Sequence, residues 1–342
     1  MKILGLIPRK SAVTTYRIIR PLSKVKGKVI RCFNGGFGTL LRKNEVINTE
    51  KLANRFKKKA DIWVIKYIED LSTANLLVWM RDKVKATLVL DIDDNIWQIP
   101  EDSIVLNTDK DIESHAKRGL WTIDMVKAAD AVTVSTQPLK EILKKYNDRI
   151  EVIPNLIDVK EWKFKRKKHD KIRIGWIYSH THYPDVKVIK EALNKIYKKY
   201  KDKIEIVIFG SDLKVFDFEP EHHWGVKFED YPKKLTELSF DISICPLEDN
   251  AFNKCKSNIK WMESSMAGAA VVASKVYPYE FSIEHGKTGY LASTTGQWVK
   301  HLSNLIENEE KRKELVDNAQ TVIWEKYNLD KDESIETFYK SL

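Results

Sequence analysis

Twice along this 342-residue chain, short β-rich apolar runs alternate with amphipathic stretches of helical period, and that alternation leaves little choice of architecture. In the first half the runs are Lys2 to Ile7, Lys28 to Phe33, Ile62 to Tyr67, Thr87 to Ile92, Ala131 to Ser135 and Ile150 to Pro154. Helical stretches lie between them at Tyr16 to Leu22, Leu52 to Lys59, Ala74 to Val84 and Ile112 to Ala128. Such a pattern predicts an α/β fold with a parallel sheet. After the charged, aperiodic stretch Asp158 to Lys171 the alternation restarts. Its strands are expected at Ile172 to Tyr178, Ile204 to Phe209, Val226 to Phe228, Asp241 to Cys245 and Ala270 to Ser274, and its helices at Val186 to Tyr200, Ser257 to Ala267 and Thr295 to Glu307. The expectation is two doubly wound, Rossmann-like domains, 1–158 and 159–309, and a charged helical region, 310–342, packing back toward the N-terminal domain.

Composition narrows the class further. With 43% hydrophobic and 32% charged residues the chain has enough apolar surface for real cores, which excludes a disordered or collagen-like chain. Its longest apolar runs fall far short of the ~20 residues that cross a bilayer, and the first run is too short for a signal peptide. A soluble, cytoplasmic protein is expected. Cys32, Cys245 and Cys255 form no paired or metal-binding spacing and read as free thiols. The formal charge of +10 favours an anionic substrate, a nucleic acid or a membrane surface, with a lysine-rich proteome as the alternative.

In doubly wound sheets ligands bind beyond the carboxyl ends of the strands. The chemistry is therefore expected in the loops after strands, in a cleft shared by both halves. The most informative of these loops opens the segment Pro246 to Ser274. On a helix beginning near Ser257, the residues Lys256, Lys260 and Glu263 share one face. Lysines at a helix N-terminus oppose its dipole, which prefers anions there. A phosphate or diphosphate between them relieves the conflict, and the free N–H groups of Ser257 and Asn258 would point at it. Glu263, two turns deeper, would accept from a ribose diol; the alternative is a solvated lysine face with a simple serine cap.

The phrase FNKCKSNIKWMESSMAGAAVVAS resembles the nucleotide-sugar-binding segment of GT-B glycosyltransferases, the group 1, GT4-like branch, in a form found in phage and surface-polysaccharide gene sets. Other phrases keep that family's order: AADAVTVSTQPLKEIL with IEVIPNLIDVKEW, KIRIGWIYSHTHYPDVKVIKEAL, and KTGYLA. The resemblance implies a nucleoside-diphosphate sugar, a UDP-sugar for preference, held by the C-terminal domain, with no further cofactor and no metal. It implies Lys256 and Ser257 near the diphosphate, Lys260 supporting it, Glu263 on the ribose, and transfer with retention. Many members carry a second glutamate where this chain has Cys255, so Glu248 or Asp249 would have to substitute in sugar recognition.

Other loops supply further candidates. GWIYSHTHYPD holds Ser179, His180, Thr181, His182 and Asp185, of which Ser179 and His182 are expected at the donor; paired surface histidines with no ligand role are the alternative. VLDIDDNIW gathers Asp91, Asp93 and Asp94 at a strand end, where mutual repulsion calls for a cation, a hydroxyl donor or solvent. Asp93, and with it Asp94, is expected to orient the acceptor hydroxyl, against the alternative of a solvated turn. Tyr16, Arg17 and Arg20 resemble acceptor-side cleft residues, or form one turn of a surface helix. The stretch Asn34 to Gly38 lacks dinucleotide or phosphate-loop spacing. The acceptor is expected to be a glycan or small molecule, with hydroxymethylated DNA pyrimidines as the alternative; a non-catalytic nucleotide-binding module is the rival of another class.

Overall fold

The computed structural model describes residues 2–7, 10–31, 49–66, 71–99 and 109–342. Cys32 and the Asn34 to Gly38 stretch lie outside the described residues. Strands β1 (Ile3–Ile7), β2 (Lys28–Arg31), β3 (Ile62–Lys66), β4 (Thr87–Ile92), β5 (Ala131–Val134) and β6 (Ile150–Val152) form one sheet in the order β2-β1-β3-β4-β5-β6. Strands β7 (Ile172–Tyr178), β8 (Ile204–Gly210), β9 (Glu221–Trp224), β10 (Ile242–Cys245), β11 (Ala270–Ser274) and β12 (Tyr290–Ala292) form the second, in the order β12-β11-β10-β7-β8-β9. All pairings between these strands are parallel. Central strands such as β1, β5 and β11 are buried along their whole length, which is why they read as unbroken apolar runs rather than alternating ones.

The strand order reverses between β1 and β3 in the first sheet and between β7 and β10 in the second. These switch points, at the carboxyl ends of the strands, are where a doubly wound sheet opens a crevice. Around the second one lie the loop after β7 and the segment after β10, the two stretches that carry the candidate donor residues.

One strand differs from expectation. Val226 to Phe228 is not a strand; the edge strand is Glu221–Trp224, a polar sequence with half-exposed or exposed side chains and so without an apolar signature. Phe228 instead opens a 3-10 turn, Phe228–Asp230, that leads into the helix Tyr231–Leu238. The strand β12 also escaped the apolar-run pattern, because three residues are too few to show one.

After β1 the chain winds without a break through Ala12–Thr14, a π-helical segment Thr15–Ile19, and Arg20–Lys24. Ser11 and Thr14 close a capping box at its start. Pro21 has no N–H to continue an α-ladder, and the i to i−5 bond from Arg20 N–H to the Thr15 carbonyl precedes it. The helix Ile259–Met266 ends on Gly268, whose φ of +87° suits only glycine comfortably. There the Gly268 and Ala269 N–H groups bond the Ser265 and Ser264 carbonyls, the two bonds of a Schellman motif.

Each domain lends a residue to the other's core. Tyr16 packs in an apolar cluster with Leu235, Phe240, Trp261 and Val271 of the second domain. In return Cys255 packs in the cluster of Leu88, Leu90, Val134 and Leu139 in the first. The helix Glu309–Lys326 lies on the second domain, with Ala319 and Ile323 in its core. The chain then crosses, bridging Asn328 to Ile157, and the helix Ser334–Lys340 sets Ile335, Phe338 and Tyr339 against Ile3, Ile18 and Leu22 of the first domain. Among the described residues no helix is long and apolar enough to cross a membrane.

Candidate active site

A cavity of about 300 Å³ opens between the domains. Its walls include Tyr16, Arg17, Asp93, Asp94, His182, Lys256, Ser257, Lys260 and Glu263, so nine expected site residues from four separate segments meet there. Ser179, Asn258 and Arg20 are not among its lining residues.

One wall is formed by the turn before the helix Ile259–Met266 and the first turns of that helix. Lys256 lies 3.6 Å from Asp94 Oδ1 and 4.3 Å from the Phe252 ring centroid, so its ammonium is flanked by a carboxylate and an aromatic face. Lys260 donates to the Ile177 carbonyl at 2.9 Å. Burial lowers its ammonium to about 8, with the Lys256 charge adding to the effect against neighbouring anionic groups. An anion in the cavity would favour the charged form of both lysines. Asn258 occupies the N-cap without a capping bond, and its side chain donates instead to Ser282 Oγ at 2.9 Å, away from the cavity. At the helix start the Trp261 N–H bonds the Asn258 carbonyl at 3.1 Å, and the N–H groups ahead of it are those a helix leaves without an intrahelical partner.

Glu263 is 6% exposed and accepts two tyrosine hydroxyls, Tyr16 at 2.7 Å on Oε1 and Tyr231 at 2.9 Å on Oε2. Burial raises its carboxyl, while the two hydroxyl donors pull the other way. Each carboxylate oxygen keeps a further lone pair, so the group can still accept from a diol. His182 is buried, and its Nδ1 meets Asp185 Oδ2 at 2.7 Å. Asp185 is fixed in turn by the Glu248 N–H at 2.8 Å and the Asn253 amide at 3.0 Å. Burial, helped by Lys260, pushes the His182 ring down to about 4. With Nδ1 engaged by Asp185, Nε2 is the nitrogen left for a ligand.

Asp93 and Asp94 line the cavity, Asp91 is buried at the end of β4 just before them, and each of the three aspartates meets its own cation. Asp91 receives Arg17 through Nε at 3.1 Å and Nη2 at 2.6 Å, and the Thr133 hydroxyl at 2.8 Å. Asp93 meets Lys66 at 3.0 Å, and Asp94 meets Lys256. Burial raises the Asp93 carboxyl in spite of Lys66. The repulsion among these carboxylates is thus relieved by three protein cations and one hydroxyl. Among the described residues no group of three or more His, Cys, Asp and Glu side chains is placed to hold a metal ion.

Several expected roles meet other partners. Arg17 is 3% exposed and committed to Asp91, to the Ile153 carbonyl and to Asn155, which leaves its guanidinium little to offer an acceptor. Arg20 ion-pairs with Glu161 and lies 4.4 Å from the Tyr16 ring centroid, backing that ring rather than facing the cavity. Ser179 pairs with Thr181 on the exposed surface. Cys255, at the position of the missing glutamate, is buried in the first domain's core. Neither suggested substitute is free: Glu248 pairs with Lys187 at 2.7 Å and Asp249 with Lys254 at 2.8 Å.

Sequence reasoning missed Asn155, Phe228, Tyr231 and Tyr279, all lining the cavity. Asn155 carried a usable signal, since it follows closely on the end of β6, where a cleft residue belongs. Tyr231 carried none, because the strand before it was placed in the wrong residues.

Residues 158–322 match the family described as glycosyl transferases group 1. Among curated proteins none matches the sequence. Among solved structures the chain is similar to Anabaena Alr3699/HepE in complex with UDP and glucose, at 14% identity, covering 100% of both chains, with a TM-score of 0.71. It is also similar to sucrose-phosphate synthase from Thermosynechococcus elongatus, at 11% identity over 100% of this chain and 98% of the other, TM-score 0.68. A glycosyltransferase from Rickettsia africae matches at 13% identity over 99% and 97%, TM-score 0.63. The second domain is thus similar to the group 1 glycosyl transferases over residues 158–322, and the chain as a whole has the GT-B fold of these solved structures.

Proposed function

We propose that the enzyme transfers a sugar from a UDP-sugar to a hydroxyl acceptor in the cavity between its domains. The observation that carries this reading is the convergence of Lys256, Ser257, Lys260 and Glu263 on one cavity wall, with two ammonium groups at a helix start and a carboxylate deeper in. HepE, which shares the fold, was solved with UDP and glucose, and this supports the choice of donor. In this reading the two lysines and the helix N–H groups hold the diphosphate, Glu263 takes the ribose hydroxyls, and His182 Nε2 faces the donor's sugar end.

Departure of the diphosphate leaves negative charge on its oxygen. Preorganised ammonium groups and helix N–H groups stabilise that charge without reorganising. No step calls for a metal, since Asp91, Asp93 and Asp94 are each neutralised by a protein cation. The family resemblance favours retention by front-face attack: the acceptor oxygen bonds to the anomeric carbon as the carbon–oxygen bond to the diphosphate breaks. The acceptor proton passes to the departing phosphate oxygen. Asp93, across the cavity, orients the acceptor hydroxyl.

The test is incubation with a panel of UDP-sugars and acceptors, without added metal, read by mass spectrometry. Transfer to a glycan or small hydroxyl compound is expected. Duplex containing hydroxymethylcytosine or hydroxymethyluracil forms the second acceptor arm, motivated by the +10 charge. A chain that neither binds UDP nor turns over any donor would overturn the reading.

A further inference from the structure

The segment that carries Lys256 and Ser257 belongs to the second domain but is fastened by the first. Thr136 donates to the Cys255 carbonyl at 2.9 Å, the Asn95 amide approaches the Ala251 carbonyl at 3.3 Å, and the Asn155 amide nitrogen donates to Ser257 Oγ at 2.8 Å. The last of these bonds has a direction that the neighbouring chemistry fixes. Arg17 has only donors, and its Nη1 points at Asn155 Oδ1, 3.3 Å away. Arg17 is itself locked by Asp91, which also accepts from Thr133. The oxygen of the Asn155 amide must therefore face Arg17, and its NH₂ must face Ser257. An NH₂ group only donates, so Ser257 Oγ accepts, and the hydroxyl proton is turned away from Asn155. Ser257 lines the cavity beside Lys256 and Lys260, so that proton is available to an anionic oxygen bound there.

We infer that Asn155 is a positioning residue for the donor phosphate: donation running from Arg17, itself locked by Asp91, through Asn155 to Ser257 commits the Ser257 hydroxyl to donate into the cavity. The inference rests on the donor-site reading above and adds a component supplied by the opposite domain. Its consequence is that the donor site is complete only when the first domain holds the Ser257 turn, so donor affinity reports on domain closure.

The discriminating substitution is Asn155→Asp, which keeps the shape but replaces the NH₂ with an acceptor. The new carboxylate still receives Arg17, so the fold is held, but it now draws the Ser257 proton toward itself. UDP affinity, measured by calorimetry on the full chain, is expected to fall about tenfold or more in Asn155→Asp. Ser257→Ala is expected to lose a similar factor. In the Ser257→Ala background, Asn155→Asp is expected to add little, because its effect runs through the hydroxyl. An undiminished cost of Asn155→Asp in that background would mean simple charge repulsion and would overturn the inference, as would unchanged UDP affinity in Asn155→Asp itself. Absence of UDP binding in the unmodified chain would instead overturn the donor-site reading, and the inference with it.

Discussion

The Tyr16 hydroxyl of the first domain donates a 2.7 Å hydrogen bond to Oε1 of Glu263 in the second. Tyr231 completes the pair on Oε2 at 2.9 Å. Burial and the adjacent carboxylate push both phenols well above their ordinary range, so both remain donors at any working pH. Removing the Tyr16 donor leaves the buried carboxylate with one tyrosine partner. Tyr16→Phe is therefore expected to cost about 1.5 to 3 kcal/mol of stability, the range for a hydrogen bond to a charged group. Urea denaturation measures it; a change below a few tenths would show that the contact holds nothing together.

Lys260 sets a pH limit on donor use. Its ammonium, lowered to about 8, is charged at neutral pH and loses its proton as pH rises through that value. The neutral amine no longer attracts a diphosphate, so UDP affinity is expected to hold below that value and weaken above it. Lys260→Arg, charged throughout, should carry affinity into the alkaline range. His182 adds no limb between pH 6 and 7, because its ring is already neutral well above about 4. A titration of UDP affinity against pH in both forms decides the matter.

The three aspartates differ sharply in what they hold. Asp91 and Arg17 form a pair with both side chains 1% exposed. Removing one partner of such a pair leaves an uncompensated buried charge, so Asp91→Ala is expected to cost about 3 to 5 kcal/mol. Asp94, 41% exposed, pairs loosely with Lys256, and Asp94→Ala should cost under about 1 kcal/mol. With each carboxylate already matched to a cation, EDTA is expected to leave transfer intact. Loss of activity in EDTA, restored by Mg²⁺ or Mn²⁺, would give this cluster a metal role.

The absent glutamate cannot be restored by one substitution. Cys255 is 2% exposed among apolar side chains of the first domain, and burial pushes its thiol up to about 11. A glutamate there would bury an unpaired carboxylate, and Cys255→Glu is expected to destabilise by several kcal/mol without improving use of any sugar donor. A folded variant with a gained sugar preference would show that this position reaches the donor after all.

How legible these features were depends on where their determinants lie. The apolar runs of β1, β4, β7 and β11 and the switch-point loops beyond them could be read directly, because buried parallel strands have few polar interruptions. Lys256 and Lys260, on either side of Ile259, were legible because their charge conflicts with a helix start unless something answers it. What no local pattern disclosed was partnership between residues far apart in the sequence. Arg17 and Arg20 looked like free cations until Asp91 and Glu161, 74 and 141 residues away, took them up. Tyr16 read as an acceptor-side cleft residue or as part of a surface helix, and nothing local tied its hydroxyl to Glu263, 247 residues away. The edge strand Glu221–Trp224 stayed hidden for the opposite reason: with little of it buried, it had no apolar signature to read.

The most direct test of the account is UDP binding by the unmodified chain and by Lys256→Ala, measured by calorimetry beside thermal unfolding. Lys256 lines the cavity with a side chain 18% exposed, and it pairs loosely with Asp94 at 3.6 Å. The account predicts that UDP binds the unmodified chain, and that Lys256→Ala weakens it by about 1.5 to 3 kcal/mol at an unchanged unfolding temperature. UDP bound with full affinity by Lys256→Ala would contradict it.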